Sequence, residues 1–175
     1  MNTFRINVND LREYTKKIHC GDEVLLSGTV YTARDAAHKR ITELIHNEHE
    51  LPFSIKDAVI YYAGPTPERA GNVCGSFGPT TSSRMDSFSP LLLDMGLLCM
   101  IGKGPRNNEV REAIIRNNAI YLCALGGVGA LASKCITSLE IIAFPELGCE
   151  SVKKLTFRDF PLICGIDTFG NSLFQ

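Results

Sequence analysis

The segment GSFGPTTSSRMD (75–86) carries the side chains best suited to chemistry, because small and hydroxyl residues lead there into a predicted helix. Backbone N–H groups and the helix dipole at such a point favour an anion, and the Thr80 and Thr81 hydroxyls add hydrogen bonds. Arg84 can bind a carboxylate or phosphate through two parallel hydrogen bonds. An ordinary helix N-cap followed by a solvated arginine fits the same residues. Residue chemistry alone leaves both interpretations open.

Two further cations directly follow predicted strands. Lys103 lies between Gly102 and Gly104 after an apolar stretch, and Arg34 follows a β-rich stretch with Asp35 beside it. Ligands of open α/β sheets gather beyond the carboxyl ends of the strands, and flanking glycines let a ligand approach the backbone closely. An exposed turn lysine and a first-turn ion pair are the plainer alternatives.

The elements that must position these residues alternate between strand and helix. Apolar residues at helical spacing predict an amphipathic helix over residues 34–49, after a strand at 23–31. A long loop at 64–81 is of the kind that is commonly functional. The remaining predicted elements are strands at 57–63, 97–101, 119–125, 139–143, 153–157 and 162–166, and helices at 84–95, 107–117 and just after 129. This order predicts a single α/β domain, residues 1–175, with a mixed, largely parallel central sheet flanked by helices.

Composition excludes several classes of protein. The chain has 175 residues, of which 45% are hydrophobic and 21% charged, and its formal net charge is −1. That balance gives no electrostatic footprint for nucleic acid or for an acidic membrane surface. No apolar run approaches the roughly 18 residues that span a bilayer, and the first ten residues do not resemble a signal peptide. We therefore expect a cytoplasmic protein with no membrane or nucleic-acid partner.

The seven cysteines are predicted to be structural thiols. Their number is odd and no two have CxxC spacing, so neither a disulfide framework nor a self-contained zinc or iron–sulfur site is expected. His46 and His49 stand three residues apart at a polar helix end, which is typical of solvated side chains. No metal ligand is therefore assigned to this chain.

The segment GGVGALA (126–132) resembles the GxGxxA turn of dinucleotide sites. It lacks an acidic residue at the end of a following strand, so the signal is weak. A tight turn where a helix packs on the sheet is the preferred interpretation.

Taken together, several segments resemble the C-terminal domain of class I fumarases and the β subunit of L-tartrate dehydratase. They occur in the same order as in that family and together span about residues 20–167. They are GDEVLLSGTVYTARDAAHKRI (21–41), YYAGPTPE (61–68), GSFGPTTSSRMD (75–86), IGKG (101–104), GGVGALA (126–132) and FPELGCESV (144–152).

The resemblance implies a swivelling β/β/α domain that closes over a 4Fe–4S cluster held by a larger partner, the α subunit, in a heterodimer or a dimer of heterodimers. It implies a dicarboxylate site formed by Arg34, Thr80, Thr81, Arg84 and Lys103. Thr80 becomes the candidate base and Lys103 a catalytic cation, with no cofactor-binding residue in this chain. The pattern is closer to fumarase than to tartrate dehydratase, so reversible hydration of fumarate to malate is the first expectation.

Two hypotheses of other classes remain. A non-catalytic dicarboxylate-binding module on the same fold would bind its ligand without a partner. A nucleotide-binding domain would rely on Gly127 and Gly129, and NAD binding would test it.

Overall fold

A computed structural model of the chain describes residues 1–66, 73–124 and 129–174, with the backbone alone at 129–131. The strands are β1 (Thr3–Asn7), β2 (Glu23–Thr32), β3 (Val59–Tyr61), β4 (Cys99–Gly102), β5 (Ile120–Ala124), β6 (Ile136–Ala143) and β7 (Val152–Ile166). The α-helices are α1 (Leu11–Tyr14), α2 (Asp35–His46), α3 (Ser89–Asp94), α4 (Asn108–Asn117) and α5 (Gly129–Lys134). Short 3₁₀ helices cover Val8–Asp10, Ser82–Met85 and Pro145–Glu150.

The strands form one mixed sheet in the order β1-β2-β3-β4-β5-β7-β6. Strands β1 to β5 run parallel to one another, whereas β7 runs antiparallel to β2, β5 and β6. Strand β7 also pairs with β2, from Glu23 opposite Ile163 to Tyr31 opposite Lys154. This additional pairing closes β2, β3, β4, β5 and β7 into a ring, with β1 and β6 attached outside it.

Alternation along the strands separates two cores. Val59 and Tyr61 of β3 lie in the cluster enclosed by the ring, with Leu122 of β5. Ile60 of β3 and Tyr121 of β5 face the other way and pack in the second cluster, with α2, α3 and α4. Because side chains on a strand point alternately to the two faces, strands buried on both sides must be apolar throughout. The near-continuous apolar sequence of β3, β4 and β5 meets this requirement.

The α/β class and the mixed sheet are confirmed, and so are the helices predicted around α2 and α4. Two predictions were wrong. The strands expected at 153–157 and 162–166 are one strand, Val152–Ile166, in which Asp159 takes a positive φ of 46° without ending the pairing. The helix expected at 84–95 is a 3₁₀ turn and a separate helix, with Pro90 in the first turn of the latter. Within the described part of the chain, no helix is long and apolar enough to cross a membrane.

Candidate functional site

The carboxyl ends of β2, β3 and β4 lie at one edge of the sheet, because these strands are parallel neighbours. Arg34 follows the end of β2, and Lys103 follows the end of β4. The segment from Pro79 to Arg84 crosses the ends of β3 and β4. The positions predicted from sequence to line a site therefore share one edge.

Backbone pairing fixes the Thr80–Thr81 segment across this edge. The Thr80 N–H donates to the carbonyl of Tyr62 at 2.7 Å, directly beyond β3. Thr81 forms an isolated parallel bridge with Lys103, and the Ser82 N–H donates to the Lys103 carbonyl at 3.0 Å. Thr81 and Lys103 are thus neighbours on adjacent backbone segments.

Ser82 and Gly102 explain how these segments approach so closely. The Lys103 N–H donates to Ser82 Oγ at 2.9 Å, and the Tyr121 hydroxyl lies 2.9 Å from the same oxygen. A Cβ at Gly102 would stand only 1.9 Å from Ser82 Oγ. Only glycine fits there, so the glycine before Lys103 is a packing requirement of the site.

Arg84 joins the other half of the site. Its Nε donates to Asp35 Oδ1 at 2.9 Å, and the Arg84 side chain is about half exposed. Asp35 begins α2 and follows Arg34, which is the N-cap residue of that helix. The structure therefore links Arg84 to the Arg34–Asp35 corner, while Thr81 and Lys103 pair alongside.

Sequence reasoning missed the acidic neighbour of Arg34. Arg34 Nε lies 3.8 Å from Glu150 Oε1, too far for a hydrogen bond. Both atoms are buried, and neither has a hydrogen-bond partner among the residues described. Asp35 Oδ2 is likewise buried without a hydrogen-bond partner among the described residues. Such groups are costly to bury unsatisfied and commonly indicate a missing ligand or water.

A buried ion pair between Arg106 and Asp86 joins two of the segments that carry the site residues. The Arg106 side chain is 0% exposed, and its Nε donates to Asp86 Oδ1 at 2.6 Å. Arg106 Nη2 donates to Ser89 Oγ at 2.7 Å, and the guanidinium lies over the rings of Tyr62 and Tyr121. Burial alone would lower the pKa of Arg106, but Tyr62 and Asp86 raise it above its ordinary value. The pair connects the residues after Lys103 to the segment that carries Arg84.

His38 is a second buried titratable group near the edge. Its Nδ1 lies 2.9 Å from the Arg34 carbonyl, so the neutral ring donates from Nδ1. The ring packs against Tyr62 and Phe88. Burial lowers the pKa of His38 to about 4, because the charged imidazolium would lose its hydration. His38 is therefore neutral at physiological pH.

The described residues do not fit a metal cluster. No three His, Cys, Asp or Glu residues within them stand close enough to hold a metal ion. Burial raises the pKa of the Cys99 and Cys164 thiols, which favours the protonated form rather than the thiolate that binds metal. The glycine turn considered as a nucleotide site, residues 126–128, lies outside the described residues.

Known proteins match this sequence along almost its whole length. The family model described as "Fumarase C-terminus" matches residues 1–175. The chain is 45% identical to the anaerobic class I fumarate hydratase of Escherichia coli over 152 residues, which cover 86% of this chain and 28% of that protein. It is 36% identical to a putative L(+)-tartrate dehydratase subunit beta of Methanocaldococcus jannaschii, covering 91% of this chain and 85% of the subunit. The corresponding E. coli subunit is 33% identical, with 98% and 84% covered.

The fold and the site thus define the class of protein. It is an α/β domain with a closed mixed sheet and with cations at the carboxyl ends of the parallel strands. The chain belongs to the fumarase C-terminus family. It spans less than a third of the length of the fumarate hydratases that it matches, but most of the length of the tartrate dehydratase β subunits.

Proposed function

We propose that this chain is the β subunit of a hydro-lyase, and that it binds a four-carbon dicarboxylate at the carboxyl edge of the sheet. The observation that carries the proposal is the placement of Arg34, Arg84 and Lys103 at that single edge, in a chain of this family. A dicarboxylate has two negative charges, and cations at separate loop ends bind both of its termini. Thr80 and Thr81 complete the proposed substrate contacts.

Reversible hydration of fumarate to malate is the proposed reaction. Dehydration removes a proton from the carbon next to a carboxylate, and negative charge then develops on that carboxylate. Cations held in place before the reaction stabilise this charge without reorganisation. In this proposal Lys103 and Arg84 stabilise the charge while Arg34 holds the other end of the acid.

Thr80 is the proposed base, aided by an acidic group of the partner. An unperturbed threonine hydroxyl is a weak base, and a nearby cation favours its alkoxide. The hydrogen bond between the Thr80 N–H and the Tyr62 carbonyl holds the backbone in place. We expect Thr80→Ala to lower kcat more than it changes KM, and Thr80→Ser to retain activity. Near-normal turnover by the alanine variant would contradict this role.

A cluster-bearing α subunit is the proposed partner, in a heterodimer or a dimer of heterodimers. Such a cluster would supply Lewis acidity for the departing hydroxyl. The ligand set is assigned to the partner because the described residues offer none. The same proposal includes a swivelling movement of this domain over the cluster. It also includes a cytoplasmic location of the complex.

L-tartrate dehydration is the second candidate. The chain is 36% and 33% identical to the β subunits of two L(+)-tartrate dehydratases, one of them putative, and covers 85% and 84% of their lengths. The chemistry at the proposed cations would be the same, so substrate preference must be measured.

Substitution of the cations tests the proposed site. In the complex purified anaerobically with its co-purifying subunit, we expect Arg84→Met or Lys103→Met to raise KM for malate by at least about tenfold and also to lower kcat, because each removes a carboxylate contact and a charge that stabilises the developing negative charge. Assays with fumarate, malate and tartrate identify the substrate.

Arg116→Met is the matched control, since Arg116 forms an exposed ion pair with Asp94 at the far end of α4. Unchanged KM in both site variants, or absence of an iron–sulfur protein from the complex, would contradict the proposal.

A further inference from the structure

The turn Pro145–Glu150 brings an acidic group to the proposed site. Glu150 Oε1 and Arg34 Nε are 3.8 Å apart, and their side chains are 29% and 24% exposed. The charges therefore attract each other in a partly desolvated place, where the attraction is stronger than in water. At this distance the carboxylate leaves the Arg34 Nε–H donor unused. Glu150 is thus placed to hold the guanidinium through its charge, while about a quarter of the Arg34 side chain stays exposed to a ligand.

Lys153 fixes the turn that carries Glu150. It is only 4% exposed, and burial lowers its pKa. Its Nζ donates to Ser151 Oγ at 2.8 Å and to the carbonyls of Cys149 and Ser151 at 3.0 Å. These acceptors lie on both sides of Glu150, so a buried ammonium restrains the backbone on which that side chain depends.

Two further contacts attach the turn to the Arg34 corner. The Lys153 N–H donates to Thr32 Oγ1 at 3.0 Å, two residues before Arg34. A Cβ at Gly64 would lie 2.5 Å from the Cys149 carbonyl oxygen and 3.4 Å from Arg34 Cδ. Gly64 therefore lets the turn and the Arg34 stem pack against the same short backbone segment.

We propose that Glu150 is a positioning residue that holds the Arg34 guanidinium in place for the dicarboxylate. Lys153 keeps the carboxylate opposite Arg34 by binding the carbonyls on either side of Glu150. The inference rests on the proposed function, since it assigns Arg34 to substrate binding. Glu150 itself acts through Arg34 and takes no part in the chemical step.

This arrangement predicts an effect on KM rather than on kcat. In the complex with the co-purifying subunit, Glu150→Gln is expected to raise KM for malate about threefold to tenfold, with kcat within about twofold of wild type. Glu150→Asp keeps the charge and should cause a smaller rise. Glu146→Gln is the matched control in the same turn, because Glu146 pairs with Arg40 in an exposed ion pair. It should leave KM unchanged.

A double-mutant cycle separates positioning from a merely structural role. If Glu150 acts through Arg34, Glu150→Gln has almost no further effect in the Arg34→Met background. The affinity for succinate, an unreactive dicarboxylate of the same length, is measured by titrating the complex of each variant. These affinities give the same cycle for binding alone.

Unchanged succinate affinity in Glu150→Gln, or an equal loss in both backgrounds, would overturn the inference. If the succinate cycle behaves as expected but the wild-type complex turns over none of the acids, the hydro-lyase proposal fails and the positioning role stands. Thermal unfolding of Glu150→Gln close to wild type shows that the fold is intact.

Discussion

Replacing Arg106 with methionine is expected to lower the free energy of unfolding by about 3–5 kcal/mol. The substitution removes one partner of a buried ion pair and leaves the Asp86 carboxylate with an uncompensated charge. Asp86 keeps one hydrogen bond, from the Asn107 N–H at 2.9 Å, but loses the charged donor at its other oxygen. Urea denaturation of the chain measures the change.

The double variant Asp86→Asn/Arg106→Met provides the control for this explanation. Removing both charges should recover at least half of the lost stability, because no unpaired ion is then buried. Arg116→Met breaks an exposed pair and should shift the denaturation midpoint very little. A double variant as unstable as Arg106→Met would mean that lost packing, rather than an unpaired charge, causes the destabilisation.

Acidification from about pH 7.5 to about pH 5 is expected to cost about 2 kcal/mol of stability through His38 alone. In the folded chain this ring has a pKa of about 4, below its ordinary value of 6.5. At pH values between these two pKa values, the unfolded chain therefore binds a proton at His38 that the folded chain does not bind. Stability is complete above about pH 6.5 and falls as the pH approaches 4.

His38→Asn should remove most of this pH dependence, since its amide can still donate to the Arg34 carbonyl but does not titrate. His46→Gln is the control, because His46 is exposed at the end of α2 and should leave the dependence intact. The free energy of unfolding, measured by urea denaturation at several pH values, gives the comparison. Equal pH dependence in wild type and His38→Asn would contradict the assignment.

The parts of the fold that the sequence predicted are those with a strong local pattern. Helix α2 has Ala37 and Ile41 on its buried side, at the spacing of a helical turn. Strand β7 is longer than the two strands predicted in its place, and it contains Asp159 and Pro161, which are residue types typical of turns. Its pairing with β2 outweighs that local preference, and only the distant partner strand supplies this information.

The same distinction explains what was predicted about the site. Arg34 and Lys103 could be placed because each follows a strand, and parallel strands bring their carboxyl ends to one edge. Glu150 and Arg106 could not, because their partners are distant in sequence and no periodic pattern marks such a pair. The assignment of Arg34, Thr80, Thr81, Arg84 and Lys103 to substrate stays a prediction.

The closure of the ring by β7 has a consequence for biogenesis. Glu23 of β2 pairs with Ile163, so the enclosed core lacks one wall until residues 152–166 have left the ribosome. Contacts this distant in sequence make folding slow, and a nascent chain would expose the edges of β2 and β5 meanwhile. We therefore expect chaperone dependence during synthesis to end only after β7 has emerged.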